Sequence, residues 1–383
     1  MLLSSMQNCP DTRHREVPVP RVAIVGTGFV GATTAYALLM SGTVAEIVLI
    51  DRDRKRAEGQ VNDLRDAALF SPYAKVLAGD FCDCRNADVT IITAGASQTP
   101  DMKSRLDSLQ ESASILKHIV EEIGYHKPRM LLVASNPVDV LTYAAWKWSG
   151  LPSGRVMGSG TSLDTSRFRR RLGELYHVAP ESVHAYIIGE HGDSQVAVLS
   201  SARVAGISLE DFCGEVGLAC DHTTLKEIAN DTRLAGIEII QAKGATYYGI
   251  GAALVRIVRA ILRNELAVLT VSSLVPASLQ LGEVSLSLPA IINRDGVVRV
   301  LPISLNPSER KALETSAEVL RGADRQSWRG IREGRLASLT QGDHQYGGPA
   351  LRLPEGGGQV LLRLLVSASR HRNRDVPEAD LTG

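Results

Sequence analysis

Two short stretches in the second half of the chain carry side chains suited to proton transfer and carboxylate binding. His191 lies in 184-HAYIIGEHGD-193, beside glycines at the end of a strand-like run, where a ligand can reach it. Asp164 and Arg167, in 160-GTSLDTSRFRRRL-172, are three residues apart and therefore project from one face of a predicted helix. A histidine oriented by a carboxylate can donate or accept a proton, and a guanidinium can grip a substrate carboxylate with two hydrogen bonds. The trio suits interconversion of an alcohol and a ketone, although each residue alone would be ordinary on a protein surface.

A glycine-rich motif near the N-terminus predicts a dinucleotide site. The sequence 26-GTGFVG-31 follows an apolar strand and opens a helix, which is the context that such a motif requires. Gly26 permits the tight turn, Gly28 lets the backbone approach a pyrophosphate, and Gly31 lets the helix pack on the strand. The helix N-terminus adds free N–H groups and a positive dipole end for the phosphates.

Asp51 indicates which dinucleotide binds. It lies twenty residues past Gly31, at the end of a strand, where its carboxylate can accept hydrogen bonds from both adenosine ribose hydroxyls and would repel a 2′-phosphate. NAD is therefore favoured over NADP. The alternatives are a solvated strand-end residue, or a 2′-phosphate bound by the neighbouring arginines Arg52, Arg54 and Arg56.

The elements that must position these residues are those of an α/β fold. The first half alternates short apolar strands with amphipathic helices, which predicts an N-terminal doubly wound parallel sheet of the Rossmann type. The strands are predicted at 22–25, 47–50, 75–78, 89–93, 130–135 and 155–157, and the helices at 30–40, 54–70, 106–123 and from Asn136-Pro137 through Trp146. Strands at 183–188, 267–274 and 284–292, with long helices at 225–263, predict a C-terminal α+β substrate domain.

The domain organisation follows from these patterns. We expect an N-terminal extension at 1–19, an NAD-binding domain at 20–160 and a substrate domain at 161–322. A helix at 307–321, with Asn306 as N-cap and with Glu309 and Glu314 on its outer face, should close the globular body. Residues 323–383 are rich in arginine, glycine and proline, which favours a mostly disordered extension. An alternative for this tail is a readthrough or frameshifted product, and its apolar patch 359-QVLLRLLV-366 could dock on the body or on a partner.

Composition narrows the class of protein. The chain has 383 residues, 42 basic and 42 acidic, so no net field would gather nucleic acid or anionic lipid. No apolar run approaches a membrane span, and the N-terminus has too short an apolar start for a signal peptide. Five scattered cysteines lack zinc-ligand spacing and indicate reduced thiols rather than a metal site. We therefore expect a cytoplasmic protein with neither a membrane nor a nucleic-acid partner.

Taken together, GTGFVG, 134-ASNPVDVL-141, GTSLDTSRFR and IIGEHGD resemble the L-lactate dehydrogenase branch of the lactate/malate dehydrogenase family over about residues 20–322. The resemblance implies reversible hydride transfer between NADH and pyruvate to give L-lactate and NAD⁺, by a homotetramer. It also implies proton transfer by His191, orientation of that histidine by Asp164, carboxylate binding by Arg167 and carbonyl polarisation by Arg105. The further substrate contacts that it implies are Gln98, Asn136 and Thr246, and the further cofactor contacts are Val30, Arg56, Phe81, Gly95, Ala96, Asn136 and Ser159.

The same resemblance implies an effector site. Bacterial members of this branch are often activated by fructose 1,6-bisphosphate through an arginine two residues after the substrate arginine and a histidine seven before the catalytic one. Here these positions are Arg169 and His184. The alternative is an ordinary interface or helix-surface cluster.

The loop 94-AGASQTPDMKSRLD-107 departs from the family pattern. Counting from the strand makes Gln98 the residue that meets the substrate side chain, whereas counting back from Arg105 makes it Thr99. Neither is the arginine that malate enzymes need for the second carboxylate, which favours pyruvate. The alternatives are another 2-hydroxyacid dehydrogenase, acting on malate or branched-chain substrates, and a non-catalytic NAD-binding structural protein. An NAD-dependent glycosidase would need a metal-binding cysteine that these motifs lack.

Overall fold

The structure is a computed structural model that describes residues 19–71, 74–96, 105–217 and 221–332, with the backbone alone at 105–108 and 324–332. Gln98, Thr99 and the patch 359–366 lie outside the described residues. None of the helices in the described ranges is both long and apolar enough to cross a membrane.

The first half of the described chain forms a parallel sheet. Its strands are β1 (Arg21–Val25), β2 (Glu46–Ile50), β3 (Lys75–Ala78), β4 (Val89–Ile92), β5 (Leu131–Val133) and β6 (Val156–Gly158). They lie in the order β3-β2-β1-β4-β5-β6, so β1 pairs with β2 on one side and with β4 on the other. The strand order reverses at that point, and in sheets of this kind ligands bind there, outside the carboxyl ends of the strands. The predicted doubly wound sheet is confirmed.

Helices cover both faces of this sheet because its strands are apolar on both sides. The helices of this half are α1 (Phe29–Ser41), α2 (Arg54–Ala67), α3 (Arg105–Gly124) and α4 (Val138–Ser149). One core joins α1 and α2 to residues such as Ile24 and Leu49, and a second joins α3 and α4 to residues such as Val25 and Leu131. Alternate residues of the strands point to opposite faces, so both cores hold the strand ends in place.

The second half adds two groups of strands, which are β7 (Val183–Ile188), β8 (Val196–Val204), β9 (Ile207–Ser208), β10 (Ala267–Leu274), β11 (Ser285–Asn293) and β12 (Gly296–Val300). β7, β8 and β9 form a separate antiparallel sheet. β10, β11 and β12 instead extend the parallel sheet to nine strands within the described residues. The sequence indicated six strands there and missed this extension, because β10 joins β6 through a single residue pair, Ser272 with Gly158.

The helices of the second half are α5 (Ser162–Tyr176), α6 (Leu209–Val216), α7 (His222–Lys243), α8 (Tyr248–Leu262) and α9 (Pro307–Arg332). α9 continues eleven residues past the predicted end at Arg321, so the first part of the expected disordered extension, up to Arg332, is helical. Residues 322–332 contain no proline, and each of their two glycines, Gly322 and Gly330, weakens a helix by only about 1 kcal/mol.

The predicted outward orientation of Glu309 is wrong. Glu309 is 7% exposed, and its Oε1 accepts hydrogen bonds from the backbone N–H groups of Leu199 and Ser200 in β8. Its Oε2 accepts the N–H of Asn306, while the N–H of Glu309 donates to the Asn306 side chain. This reciprocal cap turns the carboxylate inward, toward strand N–H groups that would otherwise lack partners. Glu314 is exposed, as predicted.

Candidate active site

The glycine-rich turn between β1 and α1 leaves room for a phosphate group beside the backbone. Gly26 has φ +101°, and a Cβ there would lie 2.6 Å from the backbone nitrogen of Ala94. A Cβ on Gly31 would lie 1.9 Å from the carbonyl oxygen of Gly26, so the turn and the helix can approach each other only without side chains. No described atom lies within 4 Å of a Cβ built on Gly28, which leaves that side open for a pyrophosphate.

Asp51 lies at the end of β2 and closes the other side of this turn. Its Oδ2 accepts hydrogen bonds from the backbone N–H of Thr27 at 2.7 Å and from the Thr27 hydroxyl at 2.8 Å, and its Oδ1 accepts the N–H of Asp53 at 3.0 Å. Burial opposes ionisation, but the N–H groups of Asp53 and Thr27, helped by Arg56, hold the pKa of Asp51 below its ordinary value. A carboxylate has about four acceptor positions. Three are used here, so roughly one remains for a ribose hydroxyl.

The other proposed cofactor residues lie along the same edge of the sheet. Gly95 and Ala96 follow β4, Asn136 follows β5 and Ser159 follows β6, while Val30 lies in the first turn of α1 and Phe81 begins a 3-10 turn after β3. The Ser135 hydroxyl donates to the carbonyl of Ala94 at 2.6 Å and so ties the loop after β5 to the loop after β4. The parallel register therefore brings together residues that are far apart in sequence.

Two threonines place the start of α5 against the end of β7. The Thr161 hydroxyl donates to the carbonyl of Ile187 at 2.6 Å, and the Thr165 hydroxyl accepts the N–H of the same residue at 3.0 Å. Asp164 lies between these two threonines in the first turn. It therefore points toward the loop that follows β7 and carries His191.

His191, Asp164 and Arg167 meet as the sequence predicts. The Nδ1 of His191 lies 2.5 Å from Oδ2 of Asp164, and Nη1 of Arg167 donates to Oδ1 at 3.1 Å. The Asp164 side chain is 4% exposed and the His191 side chain 29% exposed, so the carboxylate is enclosed while the imidazole still reaches solvent. No described residue forms a hydrogen bond with Nε2 of His191.

The electrostatics of this trio favour a protonated imidazole beside an ionised carboxylate. Burial opposes the charged form of both groups, but the imidazole of His191 and the guanidinium of Arg167 hold the pKa of Asp164 below its ordinary value. Burial also opposes protonation of His191, and the Asp164 carboxylate outweighs it and raises the pKa of His191. The arrangement can therefore store a proton on the histidine and release it through Nε2.

Sequence reasoning missed one buried carboxyl at this site. Asp139, in the first turn of α4, is 2% exposed, and its Oδ2 accepts the backbone N–H of His191 at 2.7 Å. An aspartate in a first helical turn usually has a simple explanation, since it complements the helix dipole. The available signal was its isolation, because no other charged residue occurs between Asn136 and Lys147.

The structure describes the remaining predicted substrate-site residues in less detail. Thr246 is partly buried just before α8. Arg105 is the first residue of α3, and its side chain, like Gln98 and Thr99, lies outside what the structure describes. Within the described part of the chain, no group of three or more histidine, cysteine, aspartate or glutamate side chains could hold a metal ion.

Arg169, on α5, contacts β7, the strand that carries His184. The Nε of Arg169 donates to the carbonyl of Ala185, next to His184, at 2.9 Å, and its guanidinium lies 5.1 Å from the ring centre of Tyr186. Burial lowers the pKa of Arg169. His184 is exposed and pairs across β7 and β8 with the exposed Arg203, so a second basic residue lies opposite it.

Both halves of the chain match the domains of a known family. The lactate/malate dehydrogenase NAD-binding domain matches residues 20–158, and the alpha/beta C-terminal domain of the same family matches residues 161–326. The chain is 48% identical over 304 residues to a probable L-lactate dehydrogenase of Schizosaccharomyces pombe, covering 79% of this chain and 92% of that protein. It is 46% identical over 306 residues to the L-lactate dehydrogenase of Geobacillus kaustophilus, covering 79% and 95%.

Solved structures give the same result. A lactate dehydrogenase from a Medee basin deep-sea metagenome library superposes with a TM-score of 0.78 at 42% identity, covering 81% of this chain and 99% of that one. The minor L-lactate dehydrogenase of Enterococcus mundtii, in a ligand-bound form, superposes with a TM-score of 0.77 at 40% identity, covering 81% and 98%.

Proposed function

The chain belongs to the lactate/malate dehydrogenase family, and we propose that it is an NAD-dependent L-lactate dehydrogenase that interconverts pyruvate and L-lactate. The observation that carries the proposal is the contact between His191 and Asp164, with Arg167 on the same carboxylate. This trio lies in the 161–326 region that the family's C-terminal domain matches, and the glycine-rich turn lies in the region matched by its NAD-binding domain.

The residues present fit the dinucleotide. A Cβ at Gly26 or Gly31 would clash with neighbouring backbone atoms, so this tight turn requires glycine at both positions, and Asp51 is held as a carboxylate beside the turn. When bound, NADH supplies the hydride. We assign Gly28 and Val30 to the pyrophosphate side, and Gly95, Ala96, Asn136 and Ser159 to the strand edge that follows. Arg56 and Phe81 complete the proposed adenosine side.

Three side chains perform the proton transfer and the binding in this proposal. His191 donates the proton on Nε2 to the carbonyl oxygen of pyruvate, and Asp164 fixes the tautomer and stabilises the imidazolium. The guanidinium nitrogens of Arg167 other than Nη1 form no hydrogen bond with a described residue, so they are available to bind the substrate carboxylate. We assign Arg105 to carbonyl polarisation and Asn136 and Thr246 to the substrate pocket.

Substrate choice provides the direct test. Initial rates of NADH oxidation should be compared for pyruvate, oxaloacetate and a branched 2-oxo acid, because Gln98 and Thr99 both lack the positive charge that a second carboxylate needs. We expect pyruvate to give the highest kcat/KM by at least about tenfold. Dominant oxaloacetate reduction would replace this function with that of a malate dehydrogenase, and no turnover of any 2-oxo acid would leave a non-catalytic NAD-binding protein.

We also propose that fructose 1,6-bisphosphate activates the enzyme through Arg169 and His184. The support is the position of Arg169, whose Nε bonds to the carbonyl next to His184, and the exposed Arg203 opposite His184 on β8. Charge-assisted hydrogen bonds from such a group can hold sugar phosphates. A pyruvate saturation curve with and without the effector tests this, and an unchanged KM in a protein with both residues intact would remove the claim.

The remaining parts of the proposal concern assembly and setting. We propose a homotetramer, a cytoplasmic location and a role in glycolytic fermentation, on the strength of the family resemblance, with domains at 20–160 and 161–322. Light scattering of the purified protein tests the tetramer, and a monomer at micromolar concentration would contradict it.

A further inference from the structure

Asp139 is a buried carboxyl to which the proposed mechanism gives no role. It lies on α4, on a part of the chain distinct from those that carry His191 and Asp164. Its side chain is 2% exposed, and its Oδ2 accepts the backbone N–H of His191 at 2.7 Å. Burying a carboxyl without full hydrogen bonding is costly, so its retention at this position calls for an explanation.

The contact fixes the main chain of the histidine rather than its ring. The neighbouring N–H of Glu190 bonds to the Ser316 hydroxyl on α9 at 2.9 Å, and the Glu190 carboxylate accepts the N–H of Ser194 at 3.0 Å. The loop is thus held on α4, on α9 and by its own turn. Asp164 holds the imidazole, and Asp139 holds the backbone from which it projects.

A hydrogen-bond acceptor alone does not require a carboxyl, because an amide oxygen could accept the same N–H. The charged or titratable groups that face Asp139 are His191 and Glu190, and Ser272 of β10 faces it as well. Its Oδ1 forms no hydrogen bond with any described residue. Burial raises the pKa of Asp139 to about 6, against the effects of Ser272 and His191, so above that pH a negative charge lies beside the histidine.

That charge acts on the histidine in a definite direction. Asp139 adds to Asp164 in raising the pKa of His191, whereas Arg167 and burial lower it. In a site with little water, a nearby carboxylate stabilises an imidazolium far more than a surface charge does.

We propose that Asp139 is a positioning residue that anchors the backbone of His191 and whose negative charge stabilises the protonated imidazole. The inference rests on the proposed acid–base role of His191. Two carboxylates then stabilise the proton on His191. Asp164 contacts the imidazole ring, and Asp139 accepts the backbone N–H of the same residue.

The test is Asp139→Asn, which keeps an acceptor for the N–H of His191 and removes the charge. We expect the alkaline limb of the pH profile for pyruvate reduction to move to lower pH by roughly one unit, so that kcat/KM falls about tenfold at pH 8 and less than about threefold at pH 6. A second readout needs no turnover. Diethyl pyrocarbonate reacts with imidazole only in its neutral form, and its rate at His191, followed by site-resolved mass spectrometry, should show the same shift.

The matched control is Asp193→Asn, two residues along the same loop. The Asp193 side chain is 54% exposed and 3.6 Å from Arg233, so solvent screens its charge and both profiles should stay where they are. Asp139→Ser also removes the charge and offers a hydroxyl acceptor, so it should shift both profiles in the same direction and serves if the asparagine variant does not fold.

The outcomes distinguish the role of Asp139 from the proposed dehydrogenase function. Unshifted profiles in the folded Asp139 variants, or an equal shift in Asp193→Asn, would overturn the inference. A wild-type chain that reduced no 2-oxo acid would instead overturn the proposed function, while the modification profile would still report whether Asp139 acts on His191.

Discussion

Replacing Asp164 by asparagine changes the proposed proton transfer with little change in shape. Asp164 is 3% exposed, and each of its oxygens accepts one charge-assisted contact, from His191 at 2.5 Å and from Arg167 at 3.1 Å. An asparagine keeps one acceptor and presents an NH₂ group at the other position. The imidazole then loses the carboxylate that selects its tautomer and stabilises its protonated form.

The expected magnitude follows from these two contacts. A hydrogen bond to a charged group contributes about 1.5–3 kcal/mol, and about 1.4 kcal/mol corresponds to a factor of ten in rate. Loss of the His191 contact should therefore lower kcat for pyruvate reduction by about 10- to 200-fold. Loss of the Arg167 contact should raise KM for pyruvate, because the guanidinium is no longer held in place. The pKa of His191 should fall, so the alkaline limb of the profile should move to lower pH.

The assay is steady-state oxidation of NADH at several pH values, with NADH binding measured separately by fluorescence. Glu174→Gln is the matched control, because Glu174 also pairs with an arginine of α5, Arg170, but on the exposed side of the helix. It should change kcat and KM by less than about twofold, as exposed pairs contribute little. If Asp164→Asn kept its kcat within threefold and its alkaline limb in place, the assigned role of the His191–Asp164 pair would be refuted.

Four further outcomes test other parts of the structure. Gly31→Ala should abolish NADH binding measured by fluorescence, because its Cβ would lie 1.9 Å from the Gly26 carbonyl oxygen; an unchanged Kd would contradict the turn geometry. Asp51→Asn should raise the Kd of NADH by about 10- to 100-fold and that of NADPH by less, and equal effects would argue against its ribose role. Glu309→Ala should lower Tm by several degrees, because it leaves strand N–H groups without an acceptor, whereas Glu314→Ala should not. Asp139→Asn should raise Tm more at pH 8 than at pH 5, because a carboxyl whose pKa rises on folding gives stability that is lost as the pH passes about 6.

Features that depend on neighbouring residues could be predicted from the sequence. The glycine spacing of 26–31, Asp51 at the end of β2 and the pairing of Asp164 with Arg167 on α5 all follow from local geometry. The parallel sheet follows from the alternation of strands and helices. Proximity of His191 to Asp164 does not follow from local geometry, because 27 residues separate them and no periodicity fixes that distance. The chemistry that the two residues and Arg167 suit together predicts it, and the family resemblance implies it as well.

Features that depend on what a segment packs against could not be predicted. Glu309 looked like an outward-facing residue, and only the adjacent β8, with two N–H groups lacking strand partners, turns it inward. The extension of the sheet by β10 depends on one residue pair with β6. Helical periodicity gives the direction of a side chain around its own helix axis, but not the residues that the side chain contacts in that direction.

The identity of Asp139 could not be predicted from folding stability either. Raising its pKa from 3.8 to about 6 corresponds to a cost of up to about 3 kcal/mol for keeping the carboxylate ionised at neutral pH. A residue selected only for folding would be expected to be apolar or an amide at this position, since either avoids that cost. The carboxylate does provide a negative charge beside His191, whose backbone N–H it accepts and whose pKa it raises. The cost in stability and the effect on the histidine have the same origin, which is the burial of the Asp139 carboxyl. In Asp139→Asn, the pH-dependent rise in Tm and the shift of the alkaline limb to lower pH should therefore appear together or not at all.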